Sequence, residues 1–174
     1  MSTSVFPPPQ VQKKTYAAGI TGLVVPAAAT DVFTIYGSST KTIVVFHVEI
    51  TGAVSSKAMA DVQIIKRSTA NTGGTATNPA AVPLDSTNGA ATATVSAYTA
   101  NPTLGTSLGL IHANKLLLGV SGADQPQSIA FNFDHDGKTQ GVYLRGTSEG
   151  LCVNLNGGTF SNPSLSIDVA WYEE

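Results

Sequence analysis

Short stretches of alternating apolar and polar residues recur along this chain, separated by clusters of Gly, Pro, Asn and Ser. The clearest is KTIVVFHVEITG at 41–52. Val44, Phe46, Val48 and Ile50 fall on one face, and Ile43, Val45, His47 and Glu49 on the other, which is the periodicity of a strand. One face is uniformly apolar and the other grades from apolar to polar, as suits a strand near an edge or an interface. TDVFTIYG (30–37) and MADVQIIKRS (59–68) read alike, with Val62 and Ile64 inward in the second. SLGLIHANKLLLGV (107–120) has apolar residues at two-residue spacing with a break near Ala113–Asn114. SIAFNFD (128–134), QGVYLRG (140–146), EGLCVNLNG (149–157) and SLSIDVAWYEE (164–174) complete the set. In the last, Leu165, Ile167, Val169 and Trp171 share a face opposite Ser166, Asp168, Ala170 and Tyr172. ATATVSAYTA (91–100) fits either a strand or a short helix. About eight strands at such spacing predict an all-β protein, an antiparallel β-sandwich of jelly-roll-like type.

Two segments depart from this pattern. Residues 1–19 contain FPPPQVQKK, where three successive prolines impose an extended path without backbone donors. They read as an N-terminal arm ahead of a single domain over 20–174. Such an arm is either a loose terminus or a segment that orders on a neighbouring subunit. Residues 69–90, TANTGGTATNPAAVPLDSTNGA, read as a loop long enough to be contact-forming or functional.

Composition narrows the range of partners. Of the 174 residues, 42% are hydrophobic but only 11% are charged, against about 25% in ordinary soluble proteins. Thr, Ser, Asn and Gly fill the polar positions, which suits strands, turns and surfaces that pack against protein. The net charge is −2, and no basic cluster exceeds the pairs Lys13–Lys14 and Lys66–Arg67. Duplex nucleic acid, which needs several phosphate contacts from one face, is therefore not an expected partner. The apolar runs fall short of the roughly 20 residues of a membrane helix, and MSTSVFPPPQ lacks the basic and apolar regions of a secretory signal. The single Cys152 forms no intrachain disulfide and anchors no cysteine-based zinc site.

The most chemical-looking stretch is FDHDG at 133–137. As a calcium loop starting at Asp134 it places Lys138 and Arg145 in ligand positions, so that reading fails. It reads instead as a hairpin turn between FNF and GVYLRG. GTSLG at 105–109 matches G-x-S-x-G formally, but a Pro-broken polar stretch precedes it and no helix follows, so a nucleophile elbow at Ser107 is not expected. Cys152 reads as a small buried hydrophobe, and His47 and His112 as strand residues satisfied in place. Trp171 reads as a core anchor and Tyr172 as a candidate interface residue. The glycines at 72–74 and 156–158 read as turns. No catalytic or metal-binding constellation emerges, and neither a cofactor nor an enzyme is expected.

The succession DVFTIYGSSTKTIVVFHVEITG, VQIIKRSTANTGG, VPLDSTNGAATATVSAYTANPTLG and LCVNLNGGTFSNPSLSIDVAWYEE resembles small virion proteins of tailed bacteriophages and prophages. It extends from about Ala28 to Glu174 and rests on KRSTANTGGT, AYTANPTLG and the terminal WYEE; the Pro-rich start lies outside it. The resemblance implies a trimeric decoration or cement protein, seated on the major capsid protein at the head surface and made in the host cytoplasm. Phe6, Pro7, Pro8, Pro9 and Tyr172 are the expected interface residues, together with the loop over 69–90. The alternative is a tail-associated or receptor- or glycan-binding module. A depolymerase would need paired carboxylates, and spacing does not pair Asp134, Asp136, Glu149 and Asp168.

Overall fold

The computed structural model describes residues 13–133 and 140–174. Among them the chain forms twelve strands and no helix. These are β1 (Lys14–Leu23), β2 (Ala29–Tyr36), β3 (Ile43–Val54), β4 (Ala58–Arg67), β5 (Thr75–Thr77), β6 (Val82–Pro83), β7 (Thr94–Ala100), β8 (Ser107–Val120), β9 (Gln127–Asn132), β10 (Val142–Leu144), β11 (Gly150–Gly158) and β12 (Ser164–Glu173). Hydrogen bonding joins them in the order β5-β7-β2-β11-β4-β8-β3-β12-β1-β6, with β9 and β10 also on β3. The sheet curls, and its inner face encloses one apolar core drawn from both halves of this order. All pairings are antiparallel except β3 with β8, which is parallel at Ala53–Gly119 and Val54–Val120. The sheet is therefore mixed, and the purely antiparallel arrangement expected from the sequence is corrected at this joint. The joint arises because β8 leaves β4 at one end and continues beside β3 at the other.

The expected strands are present, including the ambiguous 91–100 segment, which is β7, and the 107–120 segment, which runs unbroken through Ala113–Asn114. The sheet begins earlier than the expected boundary after residue 19. From Lys14 the chain is already β1, paired along β12, with Tyr16 buried and stacked on Trp171 at 6.0 Å. The loop over 69–90 contains the two short strands β5 and β6.

Alternation accounts for most of the core. Val62 and Ile64 of β4, and Leu165, Ile167, Val169 and Trp171 of β12, are all buried in it. In β3 the expected face is broken. A bulge at Phe46, where Trp171 pairs with Val45 and Ala170 with His47, shifts the register. Ile43 and Val45 therefore join Val48 and Ile50 in the core, while Phe46 turns away and stacks on Tyr172 at 6.2 Å. A single extra residue exchanges the two faces of a strand.

β9 and β10 do not form a hairpin. Both run antiparallel to β3, β9 along His47–Gly52 and β10 along Ile43–Val45. They are successive halves of one edge line, so the hairpin expected between FNF and GVYLRG is corrected. Asp134, His135, Asp136 and Gly137 lie outside the described residues, as do Phe6, Pro7, Pro8 and Pro9.

Candidate functional site

β2 and β11 are buried on both faces. Their inner residues enter the core, and their outer face is covered by the segments following β4 and β7. That cover is held by a buried carboxylate. Asp31 of β2 accepts hydrogen bonds from Arg67 Nε at 2.6 Å and Nη2 at 2.8 Å, from Asn71 Nδ2 at 2.8 Å and from Asn154 Nδ2 at 2.6 Å. Arg67 Nη1 also donates to the Gly105 carbonyl at 2.8 Å, and the Gly105 amide donates to Asn71 Oδ1 at 2.8 Å. A Cβ at Gly105 would overlap the Thr69 carbonyl, so only glycine permits this approach. Burial alone pushes the Asp31 carboxyl upward, but the bonds from Arg67, Asn154 and Asn71 outweigh it and hold the carboxyl below its usual range.

Cys152 sits on this same face, buried, and burial with Asp31 alongside pushes its thiol far up. It is a packed side chain and not an activated nucleophile. GTSLG forms no strand-to-helix elbow: Gly105 belongs to the Arg67 contact, and Ser107 opens β8 opposite Arg67. In the expected turn at 72–74, Gly73 and Gly74 adopt left-handed backbone at φ 64° and 72°. The turn expected at 156–158 is corrected, since these residues lie within β11 as an irregularity, with Gly157 at φ 76° and Gly158 paired with Ala29.

A second buried carboxylate fastens the C-terminus. Glu173 accepts hydrogen bonds from Thr92 N at 2.8 Å, Thr92 Oγ1 at 2.8 Å, Ala93 N at 3.1 Å and Trp171 Nε1 at 3.2 Å. Tyr172, expected at an interface, is buried within the chain, its ring capped by Lys13 Nζ at 3.7 Å. Lys13 in turn pairs with Glu174 at 3.1 Å.

On the outer face of the β3–β12 region, His47 Nδ1 and Asn132 Oδ1 are hydrogen-bonded at 2.7 Å. His47 Nε2 lies 3.8 Å from both Glu49 and Asp168. Desolvation and the neighbouring Glu49 push the Asp168 carboxyl upward against the opposing pull of His47. These distances suit a loose surface cluster; among the described residues no three His, Cys, Asp or Glu side chains gather as a metal site. His112 packs edge-on against Phe131 at 5.0 Å. Lys57 with Asp124, Lys66 with Glu149 and Lys115 with Asp61 are paired on the surface.

What stands out on the surface is apolar. Every residue from Ser107 to Lys115 is exposed, with Leu108 at 58%, Leu110 at 55% and Ile111 at 42% of full accessibility. Leu104, just before β8, is also exposed, as is Met59 of β4 at the other end of the β4–β8 pair. In the loop over 69–90, Val82 and Leu84 are exposed at 56% and 62%. Sequence periodicity missed the apolar exposure on β8 because it cannot tell an inward from an unpartnered hydrophobic face. It also missed Asp31, Arg67, Asn71 and Asn154, which no motif or spacing in the sequence links. No protein-family model, curated protein or solved structure matches the chain.

Proposed function

We propose that this protein is a bacteriophage virion structural protein that binds the outside of the major capsid lattice as a homotrimeric decoration or cement protein. In this reading the curled sheet acts as a jelly-roll-like β-sandwich, a rigid body that adheres through its surface. The observation that carries it is the exposure of large apolar side chains on a surface whose charged groups mostly pair with one another. Monomeric proteins seldom leave such residues grouped in the open unless they meet another protein. The buried carboxylates, Asp31 and Glu173, are engaged in holding loops. Val82 and Leu84 in the loop over 69–90 supply a capsid contact, and many weak copies on a lattice multiply into firm adhesion.

Electron microscopy of particles carrying the protein tests this directly. Density on the head at regular lattice positions is expected. Density on the tail alone would favour the receptor-binding alternative. Heating heads with and without the protein and recording DNA release separates a cement from a coat: release is expected at a higher temperature with the protein present. Replacing Val82 and Leu84 with serine should lower head occupancy while leaving the fold intact.

A further inference from the structure

Two identical dipeptides in this chain meet opposite surroundings. An asparagine followed by glycine can close on itself: the glycine nitrogen attacks the asparagine Cγ, and glycine has no Cβ to obstruct the approach. The pair occurs at Asn88–Gly89 and at Asn156–Gly157. The other asparagines precede proline, whose nitrogen has no proton to lose, or residues with a Cβ in the way.

Asn156 is held. Its backbone sits in the left-handed region at φ 52°, followed by Gly157 at 76°. Its amide donates to Asn154 Oδ1 at 2.7 Å, and Asn154 is itself anchored through Nδ2 on the buried Asp31 at 2.6 Å. Its side chain lies against the Asp61 carboxylate. β2 fixes the chain on both sides of it, at Asn154 with Asp31 and at Gly158 with Ala29. Bringing Asn156 Cγ onto the Gly157 nitrogen means breaking these contacts, so reaction there waits on a local opening.

Asn88 stands in the connection between β6 and β7. That loop is pinned at its ends, where the Leu84 amide donates to the Thr15 carbonyl at 2.9 Å and Thr92 is bound to Glu173. Asp85 shapes its first turn. The Asp85 Oδ1 accepts from Thr87 N at 2.9 Å and Thr87 Oγ1 at 2.8 Å, and its carbonyl accepts from Asn88 N at 2.9 Å. Beyond Asn88, residues 89–91 form no strand. Among the described residues the Gly89 amide donates no backbone hydrogen bond, and nothing lies within 4 Å of a Cβ built on it. With both ends pinned, this part can move without loosening the sheet.

In the reaction the Gly89 nitrogen bonds to Asn88 Cγ, the Cγ–Nδ2 bond breaks, and ammonia leaves with the proton from the Gly89 nitrogen. Water then opens the resulting succinimide at one of its two carbonyls. One opening gives aspartate at this position; the other gives isoaspartate, with the main chain routed through Cβ. Nothing is oxidised or reduced, and either product carries a carboxylate where the amide stood.

We infer that Asn88 is a spontaneous deamidation site of the folded protein, whereas the contacts anchored on Asp31 protect Asn156. The chemistry needs only water and this loop, so it stands apart from the proposed function. It places a new negative charge in the same loop as Val82 and Leu84.

The test ages purified full-length protein in warm, mildly alkaline buffer, folded and in urea. Peptide maps by mass spectrometry separate asparagine, aspartate and isoaspartate at each site. In urea both sites should react. In the folded protein Asn88 should react close to its own unfolded rate, while Asn156 slows at least about tenfold, the factor that about 1.4 kcal/mol of local opening imposes. Gly89→Ala, whose Cβ has room, should sharply slow the change at Asn88 and leave Asn156 as it was, with circular dichroism confirming the fold. Folded protein in which Asn88 is as protected as Asn156, or Asn156 as reactive as Asn88, would overturn the inference. So would an undiminished rate at Asn88 in Gly89→Ala. No phage head enters this experiment, so its outcome and that of head binding are independent.

Discussion

Asp31 shows what one residue can hold together. Its carboxylate draws β2, the end of β4, the turn after β4 and β11 onto one point through Arg67, Asn71 and Asn154. An ion pair this buried adds little against a well-packed apolar replacement, but removing one partner strands the other charge. Arg67→Ala or Asp31→Ala should therefore cost about 3–5 kcal/mol, read from urea unfolding at neutral pH. The pH dependence has a definite sign. Because the folded carboxyl titrates below its unfolded value, the contribution is present above the unfolded pKa, about 4, and is lost as pH falls through the folded one. The stability gap between the wild type and Asp31→Asn should hold from pH 7 to about 5 and narrow below about 4. This contact could not be read from the sequence. Arg67 and Asn71 in KRSTANTGGT, and Gly105 just beyond AYTAN, are more than thirty residues apart, and nothing in either string marks the other as its partner.

At the scale of elements, alternation marked the segments of nine of the twelve described strands, with 91–100 left open, because a half-buried strand must change polarity at each residue; it missed β1, β5 and β6. It failed where the ladder is irregular. The bulge at Phe46 exchanges the faces of β3, and a bulge leaves no mark in hydrophobic spacing. The line of β9 and β10 along β3 was likewise hidden, since alternation marks which residues are strands and not which strands pair. The terminal WYEE was legible only in part. Trp171 is the expected core anchor, whereas Glu173 reaches across to fasten the approach to β7. Glu173→Ala would leave the Thr92 and Ala93 amides and the Trp171 indole N–H without their acceptor. A loss of about 2–3 kcal/mol is expected, with Glu173→Gln retaining part of it through its carbonyl oxygen. Gly105→Ala tests the other closure. Its Cβ has no space beside Thr69, and a shift of the covering segment should cost about 1–3 kcal/mol by thermal denaturation.

The whole molecule is closed by strands from opposite ends of the sequence. β12 lies between β3 and β1, and its Trp171 is fully buried against Tyr16. β2 likewise waits for β11, which arrives more than a hundred residues later. Such pairings require loop closure before any contact repays it, so folding should be slow, in the range of milliseconds to seconds for topologies of this kind. The same connectivity means that the core cannot be completed until the last strand has been made. Deleting residues 171–174 removes the ring that Tyr16 packs on, the cap over Phe46 and the acceptor at Thr92. It also shortens the strand that, among the described residues, joins β1 to the rest of the sheet, since β6 lies beyond β1 and pairs with it alone. The truncated chain should lose its cooperative thermal transition by circular dichroism. If a sharp transition persisted near the full-length temperature, the terminal strand would be an accessory, and closure would have to come from the β4–β8–β3 joint alone.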